Sequence, residues 1–305
     1  MTRGARPAGQ WEPAELGVHR VIGGGPPGSM PAYVRRPHDE LLRAVLDPSS
    51  TWSRLVVLRG ESSTGKSRAV YEAVADRLPD WPVEYPLTAA ALAARLEAGI
   101  PAGTVLWLGE LRRYTDADEG AAVLRGLDDL LDGEGHMVIT TMWPEHWDTY
   151  AAAAHAGLGA ADPAGRAWRL LYHMPELRGS YNDDMDPAWG GVIDVPDRFT
   201  AEEMAIAAST GDPVLAAAVA AVVGAGPDGQ LAQYLAGARD LLRCYDGPDG
   251  DPYGQAIVTA AMDAARFGHA SPVPAALVQD AAVGYLTGPE RTSAERDTGL
   301  TWAAE

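Results

Sequence analysis

The chain has 305 residues, 47% of them hydrophobic, and a formal net charge of −18. That length supports one large domain, or a domain of about 200 residues with appendages, and the acidic balance excludes a broad nucleic-acid surface and docking onto anionic membranes. The lone cysteine, Cys244, excludes a disulfide framework and a cysteine-based metal site, and it fits a reducing cytoplasm.

Residues 1–30 read as an N-terminal extension. MTRGARPAGQWEPAEL has no apolar h-region and is not a signal peptide. Leu55-Val56-Val57-Leu58 is a continuous apolar run, the pattern of a strand buried on both faces. Gly60-Glu61-Ser62-Ser63-Thr64-Gly65-Lys66-Ser67 follows and fits G-x-x-x-x-G-K-[ST]. A helix is expected from Arg68 to Arg77, with Val70, Val74 and Leu78 on one face. Strand, glycine loop and helix are the context this motif requires. Lys66 is the only lysine; every other cationic side chain is an arginine or a histidine. Glycines let backbone N–H groups turn toward phosphate oxygens, the helix N-terminus adds its dipole, and a compact ammonium suits the β/γ-phosphates better than a planar guanidinium. Ser67 is placed to ligate Mg²⁺.

Further strands are expected at Val83–Leu87, Val105–Leu108, His136–Thr141 and Val192–Val195, giving five with helices between them and so a mostly parallel sheet. Ligands of such sheets sit at the carboxyl ends of the strands. Glu110 falls at one such end, after Gly109, and is expected to orient an attacking water. Asp116 and Asp118 are nearby carboxylates. Arg112 and Arg113 read as a charged loop or, in an oligomer, an arginine finger. Thr140 and Thr141 end the next strand, where Thr141 could contact a γ-phosphate. The seven histidines have no metal-ligand spacing and read as solvated or packing residues.

After the last strand, Thr200 and Glu203 form a capping box. Helices are expected at Thr200–Ser209, Pro213–Val223, Gly229–Cys244, Gly254–Phe267 and Pro274–Leu286. The longest apolar run, Val214 to Gly226, is too short to span a bilayer. The segment from Pro274 to Leu286 has no basic residue, which favours packing over DNA contact.

Together these motifs resemble the STAND class of P-loop ATPases, relatives of the AAA+, NACHT and NB-ARC switches. Tyr33-Val34-Arg35-Arg36-Pro37-His38-Asp39 resembles their adenine-side segment, Thr140-Thr141-Met142 their sensor, and Gly211-Asp212-Pro213 the Gly-x-Pro of their helical lid. GVHRVIGGG, VLWLGEL, TTMWPEHW and YLAGARDLLRCYDGPDGDPYGQA resemble a group of actinobacterial ATP-binding proteins. Gly109 stands where the family carries an Mg²⁺-shell aspartate, and Met142 where arginine is common.

The resemblance implies a three-layer P-loop sandwich at residues 31–199 and a helical lid at 200–245. It further implies a helical pair at 254–287 that begins a winged-helix or helix-turn-helix module, and a polar tail at 288–305. It implies an ATP/ADP switch with weak or conditional hydrolysis, acting in the cytoplasm through a protein partner or an activated homo-oligomer. Nucleotide would lie on Gly60 to Ser67, Arg68, Val34, Arg36 and Pro213, with Glu110, Lys66 and Thr141 at the chemistry and Ser67 on Mg²⁺. Two other readings stay open. One is a small-molecule phosphotransferase using Arg166, Arg169 and Arg178. The other is a scaffold that holds ADP without turning it over.

Overall fold

The computed structural model describes residues 2–18, 21, 30–49, 53–156, 162–172, 191–226, 229–237, 245, 251–267, 269 and 273–287. They fall into two compact units, Met1–Gly237 and Ala238–Glu305. Arg178, His173, Cys244 and the 288–305 tail lie outside the described residues, as do the side chains of Arg166 and Arg169.

The first unit is an α/β fold on a six-stranded, mostly parallel sheet. Its strands are β1 (Thr2–Pro7), β2 (Arg54–Arg59), β3 (Pro82–Pro86), β4 (Thr104–Glu110), β5 (His136–Met142) and β6 (Gly191–Asp194), in the spatial order β1-β3-β4-β5-β2-β6. The five expected strands are all present and pair in parallel. The expected count of five is corrected by β1, which runs antiparallel to β3 at the edge of the sheet. Its sequence, TRGARP, carries neither an apolar run nor alternation, because an edge strand pairs on one side only and tolerates proline. The residues after β1 are structural too: Ala8, Trp11 and Leu16 enter the main core, and Arg6 lies 4.0 Å over the Trp11 ring.

Helices cover both faces. On one side α1 (Pro37–Val45) and α2 (Lys66–Arg77) pack Leu42, Val70 and Val74 against Val56, Leu58, Trp107 and Ile139. On the other, α3 (Ala89–Ala98), α5 (Gly120–Asp132), α6 (Pro144–His155) and α7 (Pro163–Tyr172) pack Leu92, Leu127, Trp147 and Leu170 against Leu55, Val57, Leu106 and Val138. A short α4 (Arg112–Thr115) follows β4. Because side chains alternate along a strand, Leu55 and Val57 serve one core and Val56 and Leu58 the other. That two-sided burial is why the strand reads as an unbroken apolar run.

A third apolar cluster closes the unit. Val34 packs with Met204 and Ala207 of α8 (Ala201–Ser209), Leu215 and Val222 of α9 (Pro213–Ala225), and Leu231 of α10 (Leu231–Leu235). The helix expected from Gly229 to Cys244 stops at Leu235, and Gly237, at φ 74°, takes the left-handed conformation that ends helices.

In the second unit, α11 (Pro252–Arg266) and α12 (Ala275–Ala282) pair around Tyr253, Ile257 and Val278, and the Tyr253 hydroxyl donates to the Gln279 carbonyl at 2.8 Å. No helix among the described residues is long and apolar enough to cross a membrane.

Candidate functional site

The loop Gly60–Ser67 joins the carboxyl end of β2 to α2. Gly60 is there for space: a Cβ at this position would lie 2.6 Å from the Val195 carbonyl oxygen. Gly65 is there for conformation, with φ 97° and open space around it. Ser63 also has positive φ, 57°. Left-handed residues alternating with right-handed ones turn successive N–H groups into one concavity suited to an anion. The N-terminus of α2 opens on it, with no side-chain cap and no acidic residue in its first turn.

Lys66 is 8% exposed, and its Nζ donates to the carbonyls of Gly60 and Glu61, each at 2.6 Å. Burial pulls its pKa below the ordinary lysine value, and Glu110 and Glu61 oppose that pull. The Thr64 hydroxyl donates to the Glu61 carbonyl at 3.0 Å and tightens the turn.

Glu110 sits beside this loop because β4 bulges. Trp107 pairs with Ile139, but Glu110, three residues on, pairs with Thr141, only two residues beyond Ile139. One extra residue is therefore taken up within Leu108–Gly109. The Thr140 hydroxyl donates to the Gly109 carbonyl at 2.8 Å across the bulge. A Cβ on Gly109 would meet Arg113 Nη1 at 3.5 Å and the Tyr85 hydroxyl at 3.7 Å, so a side chain there would have room.

Glu110 has a partner that sequence spacing did not reveal. His146 Nδ1 lies 3.3 Å from Glu110 Oε1, and its ring stacks on Trp143 at 5.5 Å. Arg112 Nη1 lies 3.0 Å from His146 Nε2. A guanidinium can only donate, so in the contact with Arg112 Nε2 is the acceptor, which leaves Nδ1 to donate to Glu110; Glu145 Oε1 lies 3.5 Å from the same Nε2. Burial raises the Glu110 pKa above the usual carboxylate value, with His146 and Lys66 opposing. Arg112 also pairs with Asp116, and Arg113 donates to the Leu87 carbonyl. Both arginines, and Asp116, are thus engaged within the chain.

Glu110 and the loop residues from Ser62 on line a cavity of about 330 Å³, which His146, Arg112, Arg113 and Asp116 do not reach. One wall is Ser62 to Arg68 with Glu110 and Thr141; the other is largely apolar, with Val34, Phe199, Leu215, Leu231 and Leu235. Arg36 and Val34 line it as expected, though Arg36 is also committed elsewhere. It is 5% exposed, lies 4.3 Å over the Phe199 ring, and donates through Nη2 to the carbonyls of Pro196 (2.9 Å) and Arg198 (2.7 Å). Glu203 Oε1 is 3.6 Å from its Nε. Arg36 thus clasps the segment between β6 and α8.

Gly60 and Glu61 shape the loop without lining the cavity, and Pro213 lines none of it. Pro213 is exposed at the first position of α9, after the cap residue Asp212, and the side chain that turns into the cavity from this helix is Leu215. Asp212 accepts from Val214 N at 2.8 Å and from Ala32 N at 2.7 Å, tying α9 to the segment before α1. Phe199, Leu231, Trp143, His38 and Val18 also line the cavity. Sequence reading missed them, since nothing local marks an apolar or neutral side chain as a cavity wall. Among the described residues no group of three or more His, Cys, Asp or Glu side chains could hold a metal ion. No protein-family model matches the chain, and no curated protein matches it.

Proposed function

We propose that the cavity binds ATP or ADP and that the protein is a nucleotide switch of the STAND type with weak hydrolysis. The observation that carries this reading is the loop itself. Gly60–Ser67 curls round Lys66 at the end of a buried parallel strand, with Glu110 and Thr141 brought to the same cavity.

The strand order adds support. β5 lies between β2 and β4, so a strand stands beside the loop strand, as in the P-loop ATPase class the motifs resemble. The residues fit a bound triphosphate and Mg²⁺. Alternating handedness and the uncapped start of α2 offer N–H groups, Lys66 offers the ammonium, and Ser67 and Glu110 offer oxygens. Bound Mg²⁺ would supply charge neutralisation on the phosphates. Phosphate binding would draw Lys66 Nζ from the Gly60 and Glu61 carbonyls. Glu110, oriented by His146, would take a hydrogen bond from the attacking water. Thr141 would register the γ-phosphate.

The wall built by α8 to α10 supplies differential contacts: helices resting on a base and ribose feel whether a nucleotide is present. A protein partner or a second copy would read that state, in the cytoplasm.

The test is calorimetry on stripped protein with ATP and ADP, with and without Mg²⁺, alongside phosphate release. Wild type should bind both nucleotides, and Lys66→Ala should lose at least about tenfold in affinity. Glu110→Gln should bind normally and release no phosphate. Binding without any release by wild type would shift the reading to an ADP-holding scaffold. Folded wild type that binds neither nucleotide would overturn the proposal.

A further inference from the structure

Two neighbouring parallel strands each hand over to a helix at the carboxyl end of the sheet. β4 leads through Glu110 into α4, which begins at Arg112, and β5 leads through Trp143 into α6, whose first turn carries His146. Leu111 N donates to the Thr141 carbonyl at 3.1 Å, which ties the two strand ends together. The Glu110 carboxylate lies in this corner. It accepts from the backbone N–H of Trp143 and from the His146 ring.

The His146 side chain is 12% exposed, and its ring lies within 3° of parallel to Trp143. Stacking sets the plane of the ring but does not choose which nitrogen carries the proton. That choice is made by what stands at Nε2. Two groups of opposite demand stand there. Arg112 Nη1, at 3.0 Å, can only donate. Glu145 Oε1, at 3.5 Å, can only accept when ionised. The arginine is nearer, and its Nε is anchored by Asp116. The Glu145 side chain is 71% exposed, and a charge so well solvated binds its neighbours weakly. With Arg112 in place, Nε2 accepts and Nδ1 keeps its proton for Glu110. With Arg112 gone, Glu145 would draw the proton to Nε2, and the Nδ1 lone pair would face the Glu110 carboxylate.

We propose that Arg112 is a positioning residue for Glu110, acting through His146: its donation to Nε2 holds the imidazole as the tautomer whose Nδ1 donates to the carboxylate, and so fixes where that carboxylate points. This rests on the reading of Glu110 as the group that orients water, and it adds what keeps Glu110 aimed. Arg112 then works within its own chain, from behind the cavity wall. The two competing groups also make the arrangement switchable. Whatever takes Arg112 from His146 hands Nε2 to Glu145 and turns Glu110 away.

The experiment reads the proton and the turnover separately, on full-length protein stripped of nucleotide and held at pH 8, above the ordinary imidazole pKa. Long-range proton–nitrogen NMR spectra of ¹⁵N-labelled protein distinguish the tautomers, and His146→Asn identifies the His146 signals. Wild type should carry the proton on Nδ1. Arg112→Met should move it to Nε2. Arg112→Met combined with Glu145→Gln should return it to Nδ1, because a glutamine amide donates where the carboxylate could only accept. Phosphate release at saturating ATP should follow the proton: down roughly tenfold in Arg112→Met with ATP affinity unchanged, and recovered in the double variant. His146→Asn, whose amide nitrogen takes the place of Nδ1, should keep most of the rate. His146→Gln, whose amide takes the place of Nε2, should lose it. A wild-type proton on Nε2, or on both nitrogens, would overturn the proposal. So would a tautomer that Arg112→Met leaves unchanged, or a rate that Glu145→Gln fails to rescue. A wild type with the expected tautomer that releases no phosphate would instead overturn the reading of Glu110 itself.

Discussion

Arg36→Met tests whether the clasp between the segment before α1 and the start of α8 is a main support of the first unit. Methionine keeps the apolar stem against Phe199 and removes the guanidinium. Two hydrogen bonds to carbonyls are lost, at 2.7 and 2.9 Å; bonds to a charged group are worth about 1.5–3 kcal/mol each. Release from burial of the guanidinium itself works the other way by several kcal/mol. What decides the balance is Glu203, whose side chain is 10% exposed and whose ion-pair partner among the described residues is Arg36. Breaking one side of a buried pair costs about 3–5 kcal/mol, and that is the loss expected here. At an m-value of about 3 kcal/mol/M in urea, the midpoint should fall by roughly 1 M or more. Urea unfolding followed by tryptophan fluorescence reads the first unit, which holds Trp11, Trp107 and Trp147 in its cores. Glu203→Gln removes the charge and keeps an acceptor for the Thr200 N–H, so the double variant should recover about 1 kcal/mol or more. An Arg36→Met protein within about 1 kcal/mol of wild type, or a double variant as unstable as the sum of the singles, would refute the account.

The two loop glycines should fail for different reasons. Gly60→Ala meets a backbone oxygen that cannot swing away and should lose about 1–3 kcal/mol in urea unfolding. Gly65→Ala should lose about 1–2 kcal/mol through its φ, and Gly65→Asn, which tolerates that region, should recover part of it. Burial holds the His38 pKa below 6.5, so below that pH the unfolded chain binds the extra proton first. Its contribution to stability is therefore level above pH 6.5 and is lost as the pH falls toward the folded-state value. Burial gives His136 the same sign. His38→Phe should flatten the acid limb of stability against pH measured between pH 5 and 7, and an unchanged slope would argue against a buried neutral imidazole.

The strands that were legible in the sequence are those buried on both faces. Leu55–Leu58 and Val105–Leu108 have no solvent side, so nothing polar interrupts them. β1 was illegible for the opposite reason, since its residues are held by the backbone of β3 and need no apolar pattern of their own. The strand, glycine turn and helix around Gly60–Ser67 were legible because that backbone geometry depends on residue types at fixed spacing. The pairing of Glu110 with His146 was not, being made across 36 residues, and neither were the bonds of Arg36 to carbonyls some 160 residues away. Pro213 shows the limit of local reading from the other side: the residue that draws attention starts the helix, and Leu215 two positions on faces the cavity.

The bulge in β4 bears on how this chain should be compared with any other. Counted by residue, Gly109 is the place where the resembled family carries a second acid. Counted by hydrogen-bond register, the place opposite Thr141 is filled, and Glu110 fills it. A relative one residue shorter between Trp107 and Glu110 would carry its acid at the same point in space with a regular strand behind it. An alignment that forbids a gap inside a buried strand would score the two as different sites. Superposed on β5, they would be one.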